Sequence, residues 1–225
     1  MKLIEYICVF TGVCILLFFL WCSVAGPKLS TYIFKKDKLT WMNRSDVNTV
    51  DNCDLIFFSG TTLGENMFKW FGDCIFSHVG IISKENGKVY IIECDMGQQS
   101  KNGVRVILLE DKLNRYKGER IACIKKLYGE KIPIENMNII NDYLNTTFHI
   151  NVIRWLFADY YISPKNEKSM FCSEFVSVIL QRLKIIKNYN EKGKMPYWYS
   201  PGDYFKNKVI MHDNYFYGEN IFFRF

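Results

Sequence analysis

The dipeptide Asn86-Gly87 constrains the fold more than any other short stretch of this sequence. It separates two apolar runs, residues 77–83 and residues 88–95. Asn-Gly between hydrophobic runs is the strongest short-range signal for a β-hairpin, because both residues tolerate the positive φ angles that a two-residue turn requires. The sequence therefore predicts two antiparallel strands joined at this turn.

The predicted turn also sets which residues of the two strands face each other. Across a two-residue loop, Gly80 lies opposite Glu93. Two residues further along, His78 lies opposite Asp95. His78 and Glu93 then project from the same face of the sheet, on a diagonal that long side chains can bridge. The hairpin thus predicts a histidine beside a carboxylate, with Glu93 and Asp95 as the two candidate partners.

The segment from Ser169 to Leu180 has the pattern of an amphipathic helix. Ser169 is its predicted N-cap, and Cys172 then falls in the first turn. There, unpaired backbone N–H groups and the positive end of the helix dipole favour a thiolate over a thiol. The structural alternative, in a chain with eight cysteines, is that Cys172 is one more small buried side chain. The apolar face consists of Phe171, Phe175, Val178, Ile179 and Leu183.

Cys172, His78 and Glu93 together form a candidate catalytic set. A cysteine at a helix N-terminus, a histidine and a carboxylate that orients the histidine are a thiol nucleophile, its base and its orienting group. Asp95 stays the alternative orienting carboxylate. Two further histidines do not lie in a comparable strand and are expected to be structural or exposed: His149 and His212.

Four segments, taken together, resemble the NlpC/P60 group of papain-like thiol hydrolases. Residues 171–176, Phe-Cys-Ser-Glu-Phe-Val, are similar to its nucleophile helix, and residues 54–58 to its first strand. Residues 78–81, His-Val-Gly-Ile, are similar to its histidine strand, and Ile92-Glu93 to the strand with the third polar residue. The cysteine helix comes last, as in the circularly permuted branch. That branch includes bacterial lipoprotein-like hydrolases, lecithin:retinol acyltransferase relatives and proteins of poxviruses and other large DNA viruses.

This resemblance implies a fold and an activity. The expected fold is α+β, a circularly permuted papain-like domain with an antiparallel sheet and the nucleophile helix C-terminal to it. The implied activity is a cysteine hydrolase or acyltransferase that acts on amide or ester bonds through an acyl-enzyme on Cys172, with His78 as base and Glu93 as orienting residue. No metal or organic cofactor is required. The substrate is expected to be a peptide or a lipid acyl group, and a viral protein is expected from the viral members.

A second function class is a catalytically inactive papain-like fold that serves as a membrane-attached binding or structural module. The two classes differ in the reactivity that they predict for Cys172. An enzyme is expected to label at this cysteine with a thiol-reactive acyl-carbonyl probe, whereas an inert module is not.

The N-terminal segment predicts a membrane anchor. Residues 6–26 contain no charged side chain, and their number is close to the roughly 20 apolar residues that a membrane span requires. A cleaved signal peptide is the alternative, because residues 23–25 are small. Basic residues after the span predict a single-pass protein whose domain faces the cytosol. These residues are Lys28, Lys35, Lys36, Lys38 and Arg44.

The chain is therefore expected to consist of four segments. They are an anchor or signal peptide at 1–26, a tether at 27–48, the catalytic domain at 49–210 and an aromatic tail at 211–225. Within the tail, residues 215–225 are expected to be an edge strand or a core patch and not a membrane contact. Five strands are predicted in the domain, with a short helix or loop within 61–76, a connection at 111–116 and a helix at 136–144. The net charge of +6 is spread out without a basic tract, so the expected partners are a bilayer and an acyl substrate, not nucleic acid.

Overall fold

The computed structural model describes most of the chain from Asp51 onwards. The described ranges are 51–96, 102–116, 118–119, 121–148 and 169–225, with short pieces at 10–14, 16–17, 20, 40–41, 43, 47 and 49–50. Within these ranges the protein is an α+β domain built on one seven-stranded sheet.

Nine strands are described. Their bounds are β1 Thr40–Trp41, β2 Leu55–Phe58, β3 His78–Glu85, β4 Lys88–Asp95, β5 Gly103–Leu108, β6 Ile121–Gly129, β7 Thr147–Phe148, β8 Ser169–Met170 and β9 Tyr215–Arg224. The main sheet has the order β1-β9-β6-β2-β3-β4-β5. Its pairs are antiparallel, except that the short β1 runs parallel to β9. Strands β7 and β8 form a separate parallel pair.

In the described part of the chain from Asp51 onwards, four α-helices accompany the sheet. They are α1 Leu63–Phe71, α2 Leu109–Arg115, α3 Cys172–Arg182 and α4 Pro201–Phe205, and the longest 3-10 helix is Ile134–Tyr143. Helix α1 begins with a capping box, in which Thr62 and Glu65 each accept from the backbone N–H of the other. Ser200 and Asp203 form the same box at the start of α4. These caps satisfy N–H groups that a helix start otherwise leaves without partners.

The β3–β4 hairpin confirms the predicted turn and register. Ile81 pairs with Ile92, and Glu85 pairs with Lys88 directly before the turn. Asn86-Gly87 adopts φ angles of 48° and 74°, which is the left-handed backbone that the two-residue turn requires. This register continued by one residue puts Gly80 opposite Glu93, as the sequence predicts.

Alternate residues of the central strands pack against helices on opposite faces of the sheet. On one face, Ile81 and Ile92 lie in an apolar cluster with Phe175 of α3. On the other face, Ile82 and Ile91 pack in a second cluster that also contains residues of α2. The period-two alternation of the strands therefore buries both faces, and it holds α3 and α2 on either side of β3 and β4.

The five predicted strands are confirmed as β2 to β6, while three other segments differ from expectation. Residues 111–116 were expected to be a connection, but they lie largely within α2. The expected helix at 136–144 is a 3-10 helix, Ile134–Tyr143. Within the aromatic tail, 211–225, the expected strand is present as β9, but it lies between β1 and β6 of the main sheet and not at an edge. Its pairing partners are distant in sequence, so no local pattern predicts its place.

The prediction that Ser169 is the N-cap of the helix that contains Cys172 is wrong. Helix α3 begins at Cys172, and its N-cap is Phe171, which makes no side-chain capping hydrogen bond. Ser169 is held in extended conformation because it pairs with Thr147 across the β7–β8 ladder. The cysteine is nevertheless the first helical residue, so its predicted place in the first turn is confirmed.

The prediction of a single-pass membrane protein is corrected. Among the residues that the structure describes, no helix has the length and apolar character needed to cross a bilayer. Most of the predicted anchor at 1–26 and of the predicted tether at 27–48 lies outside the described residues. The fold class is therefore stated without a transmembrane helix, as an α+β domain with a mainly antiparallel sheet.

The hairpin turn gives a stability prediction. Gly87→Ala is expected to lower the free energy of unfolding by about 1 kcal/mol, because an L side chain is strained at φ 74° although no heavy atom lies within 4 Å of the added Cβ. Gly64→Ala in α1 is the matched control, since its added Cβ also meets nothing within 4 Å. The control should keep or gain stability in urea unfolding. An equal loss in both variants would contradict the turn assignment.

Candidate active site

The start of α3 holds Cys172 in a defined position. The thiol-bearing residue is buried, with 8% of its surface exposed. On the preceding segment, the carbonyl oxygen of Met170 accepts a hydrogen bond from Sγ of Cys94 at 3.2 Å. On the following turn, Oγ of Ser173 donates to the carbonyl oxygen of Tyr199 at 2.7 Å. Contacts on both sides of the cysteine therefore fix the helix start against β4 and against the segment before α4.

His78 connects the cysteine to a buried carboxylate. It is the first residue of β3, and its ring nitrogen Nε2 lies 2.7 Å from Oε2 of Glu93. Cys172 lies close enough to His78 for its side chain to raise the pKa of the imidazole, and both residues line the same cleft. Because Nε2 is engaged by Glu93, Nδ1 is the ring nitrogen that remains for another partner. The structure thus brings the three residues predicted from the sequence, Cys172, His78 and Glu93, together at one site.

Asp95, the alternative orienting carboxylate, takes a different role. Its Oδ2 accepts from Nη2 of Arg105 at 2.6 Å and from Nζ of Lys112 at 3.3 Å. Among the described contacts it makes no hydrogen bond to His78, although it lies near enough for its charge to affect the imidazole. The geometry therefore favours Glu93 as the residue that orients the histidine.

Two cations complete the site, and the sequence reasoning missed both. Oε1 of Glu93 accepts from Nε and Nη2 of Arg105 at 3.1 and 2.8 Å, and from Nζ of Lys112 at 2.7 Å. Arg105 is the direct cross-strand partner of Glu93 in the β4–β5 ladder. An opposite-charge pair at that register is a signal that the sequence contains. Lys112 comes from α2, whose segment was expected to be a connection, so no sequence signal placed it here.

The charges around His78 and Glu93 shift both groups towards their ionised forms. Burial lowers the pKa of His78, but the carboxylates of Asp95 and Glu93 and the nearby side chain of Cys172 outweigh it and raise the pKa to about 10. Burial by itself raises the pKa of the Glu93 carboxyl, but His78 and Lys112 hold this pKa well below its usual range. At neutral pH the pair is therefore an imidazolium against a carboxylate.

The other buried cysteines are in environments that disfavour a thiolate. Burial raises the pKa of each of them above the ordinary value of a thiol. They are Cys53, Cys74, Cys94 and Cys123. Among the buried cysteines of the described chain, Cys172 alone combines a helix N-terminus with a place beside His78 in the cleft, so it is the residue best suited to act as a nucleophile.

A cleft of ≈ 620 Å³ opens onto the thiol and the imidazole. Cys172 and His78 both line it, as do the two cations and Asp95. The start of α1 contributes its N-cap Thr62 and the first-turn residue Glu65 to the wall. Much of the remaining wall is apolar, and its side chains are Phe68, Met96, Ile107, Tyr116, Phe148 and Phe171. The cleft therefore offers reactive groups at one place and apolar surface around them, which is the usual composition of a small-molecule site.

The same side chains also offer potential metal ligands. One atom each from His78, Glu93 and Asp95 lies within 4.8 Å of the others. Both carboxylates, however, already accept charge-assisted hydrogen bonds from Arg105 and Lys112. A divalent cation would have to displace these two side chains, so the arrangement suits proton transfer better than metal binding.

The sequence contains two further histidines, which were expected to be structural or exposed. His149 lies outside the described residues. His212 has its Nε2 3.5 Å from a carboxylate oxygen of Glu191 and does not line the cleft.

No protein-family model matches this chain, but individual proteins are similar to it. The chain is 27% identical over 167 residues to "Uncharacterized protein R372" of Acanthamoeba polyphaga mimivirus, across 61% of this chain and 65% of that protein. It thus spans less than two thirds of this viral relative. Among solved structures it is similar to "metalloprotein yiiX from Escherichia coli O157:H7, DUF1105", with 15% identity, a TM-score of 0.39, and coverage of 61% of this chain and 70% of that one.

The predicted fold class is corrected from the coordinates. No family model matches this chain, and no described helix can cross a membrane. The prediction of a permuted NlpC/P60 fold with a transmembrane helix is replaced by the description that the coordinates support, an α+β domain with a seven-stranded sheet. The site geometry is independent of this classification, because it rests on distances within this chain.

The pKa of His78 gives a pH-dependent stability prediction. A histidine whose pKa rises from its ordinary value near 6.5 to about 10 on folding stabilises the fold fully below pH 6.5, and this stabilisation is lost as the pH rises towards 10. The difference in Tm between the wild type and His78→Ala should therefore narrow across this interval in thermal melts. A difference that stays constant from pH 6.5 to 10 would show that the imidazolium is not stabilised in the folded protein.

Proposed function

We propose that this protein is a thiol hydrolase or acyltransferase that cleaves amide or ester bonds through an acyl-enzyme on Cys172. The observation that carries the proposal is the His78–Glu93 pair at 2.7 Å, with Cys172 beside it at the start of α3 and in the wall of the same open cleft. Covalent catalysis by a thiol requires such a set of nucleophile, base and orienting group.

In the first half of the reaction, the sulfur of Cys172 attacks the carbonyl carbon of the substrate. The imidazolium of His78 stabilises the thiolate before the attack. As the new C–S bond forms, the carbonyl π electrons move to oxygen and give a tetrahedral oxyanion. The oxyanion then collapses, the bond to the leaving nitrogen or oxygen breaks, and His78 donates its proton to the leaving group. The product is a thioester on Cys172.

In the second half, water or an acceptor hydroxyl attacks the thioester. The neutral His78 removes its proton, the C–S bond breaks, and the thiolate and imidazolium are restored. Glu93 fixes the ring orientation throughout, and its negative charge stabilises the imidazolium without taking the proton itself. Attack by water would make the protein a hydrolase, and attack by an alcohol would make it an acyltransferase.

The oxyanion needs donors beside the sulfur. The backbone N–H of Cys172 is the first candidate, because N–H groups in the first turn of a helix have no acceptor within the helix. A helix N-terminus also carries partial positive charge, which favours the developing anion. The helix α3 therefore contributes both the nucleophile and the field that stabilises the intermediate.

The proposal is tested by covalent labelling. A thiol-directed acyl-carbonyl probe should modify Cys172 of the full-length protein under native, reducing conditions, with the site identified by peptide mass spectrometry. Cys172→Ala should abolish this modification, whereas Cys74→Ala, which removes a buried thiol outside the cleft, should leave it unchanged. His78→Ala should slow labelling most at low pH, because the thiolate loses its cationic neighbour. Absence of labelling at Cys172 in the wild type would favour an inert binding or structural module.

Measurements of kcat should distinguish the roles of Glu93 and Asp95. With an acyl ester or amide that the wild type turns over, Glu93→Gln should lower kcat by about 10²- to 10⁴-fold, because the imidazole loses its orienting charge. Asp95→Asn should have a smaller effect, since Asp95 makes no hydrogen bond to His78 in the described contacts. If Asp95→Asn were the more damaging of the two, Asp95 would be the orienting residue.

A further inference from the structure

Two cations and two carboxylates lie behind the reactive pair, on three different elements. Glu93 and Asp95 come from β4, Arg105 from β5 and Lys112 from α2. All four ion pairs between the two cations and the two carboxylates are formed, at 2.6 to 3.3 Å. The positive and negative charges therefore balance before His78 is counted.

The two oxygens of Glu93 have separate partners. Oε2 faces the imidazole of His78 at 2.7 Å, and the described contacts give it no other donor. Oε1 accepts from Arg105 and from Lys112. Because Glu93 is 0% exposed, water cannot replace either set of contacts. The orientation of the carboxylate that faces His78 is thus set by the cations on its other oxygen.

We infer that Arg105 and Lys112, called here the cation clamp, are positioning residues of the thiol site: they hold Oε1 of Glu93 so that Oε2 is presented to His78, and they keep this buried carboxylate ionised. The inference rests on the proposed function, since it assigns residues to the same site. An ionised carboxylate that is removed from water needs paired charges and hydrogen bonds to remain in that form. The clamp supplies three donors to one oxygen.

Asp95 has a defined part in this arrangement. It accepts from both clamp residues, and so it ties the two cations together at the wall of the cleft. Without this second carboxylate, one positive charge would be in excess beside the imidazolium of His78. Asp95 therefore neutralises the clamp, and this explains why the site contains two carboxylates although only Glu93 contacts the histidine.

Other titratable groups face the same space. Cys172 on α3 lines the cleft beside His78 and raises the pKa of its imidazole. The remaining groups that line the cleft form no ion pair with Glu93 or Asp95 in the described part of the chain, and they are Glu65, Asp111, Arg115 and Tyr116. The groups within ion-pairing distance of Glu93 are thus His78 and the clamp.

The signs of the expected effects follow from Coulomb's law. Removal of a cation makes it easier for nearby groups to keep a proton, so Lys112→Met should raise the pKa of both His78 and Glu93. Removal of an anion acts in the opposite direction, so Asp95→Asn should lower the pKa of His78, which the Asp95 carboxylate raises in the wild type. If Lys112 and Asp95 had purely structural roles, removing the cation and removing the anion would not shift the pKa of His78 in opposite directions.

The test is a titration of the His78 imidazole by NMR in the full-length protein, which needs no substrate. The midpoint should rise by about one pH unit in Lys112→Met and fall by about one unit in Asp95→Asn. Lys112→Arg, which keeps the charge, should restore a midpoint close to that of the wild type. Arg115→Gln is the matched control, because Arg115 lies on the same helix and lines the same cleft but is outside the ion pairs. Its midpoint should stay within about 0.3 unit of the wild type.

If thermal melts show that Lys112→Met does not fold, Arg105→Gln provides a second test of the clamp. In the variant that folds, kcat should fall by about tenfold while KM changes less than twofold, since the clamp does not touch the substrate carbonyl. An unchanged His78 midpoint in the folded clamp variants would overturn the inference. A shifted midpoint together with no probe labelling at Cys172 would instead overturn the proposed function, so the two failures are distinguishable.

Discussion

The ionised carboxylate of Glu93, fully buried between an imidazole and two cations, is the interaction on which the rest of the site depends. Removing a carboxylate from water costs several kcal/mol even after relaxation, and only close opposite charges and hydrogen bonds offset that cost. Glu93 is 0% exposed and receives donors from β3, β5 and α2. These three elements must therefore meet at the end of β4, and their meeting defines one wall of the cleft.

The residues that could be predicted are those set by local chemistry. Asn86-Gly87 fixes the turn, the turn fixes the register of β3 and β4, and the register puts His78 and Glu93 on one face. A slip of one residue would move every side chain of a strand to the other face, so the hairpin alone places histidine and carboxylate together. Cys172 was predictable for a similar reason, because the apolar spacing after it shows where a helix must start.

The features that escaped prediction depend on contacts distant in sequence. Helix α2 begins after Leu108 without a side-chain cap, so the usual signal for a helix start is missing, and with it the signal for Lys112. Ser169 has the residue type of an N-cap, but its pairing with Thr147 keeps it extended. Strand β9 is positioned by pairing with β6 across a long stretch of chain. In each case tertiary pairing overrode or replaced the local preference.

The cations also decide which chemistry the acidic cluster supports. His78, Glu93 and Asp95 hold potential ligand atoms within 4.8 Å of one another, a spacing that would also suit a divalent ion. Here Arg105 and Lys112 supply the two positive charges from the protein itself. The carboxylates are then neutralised without occupying the ring nitrogen of His78 that remains for the thiol. Because the charge is provided by side chains at fixed positions, the imidazole stays available for the proton exchange with Cys172 that the proposed mechanism requires of its base.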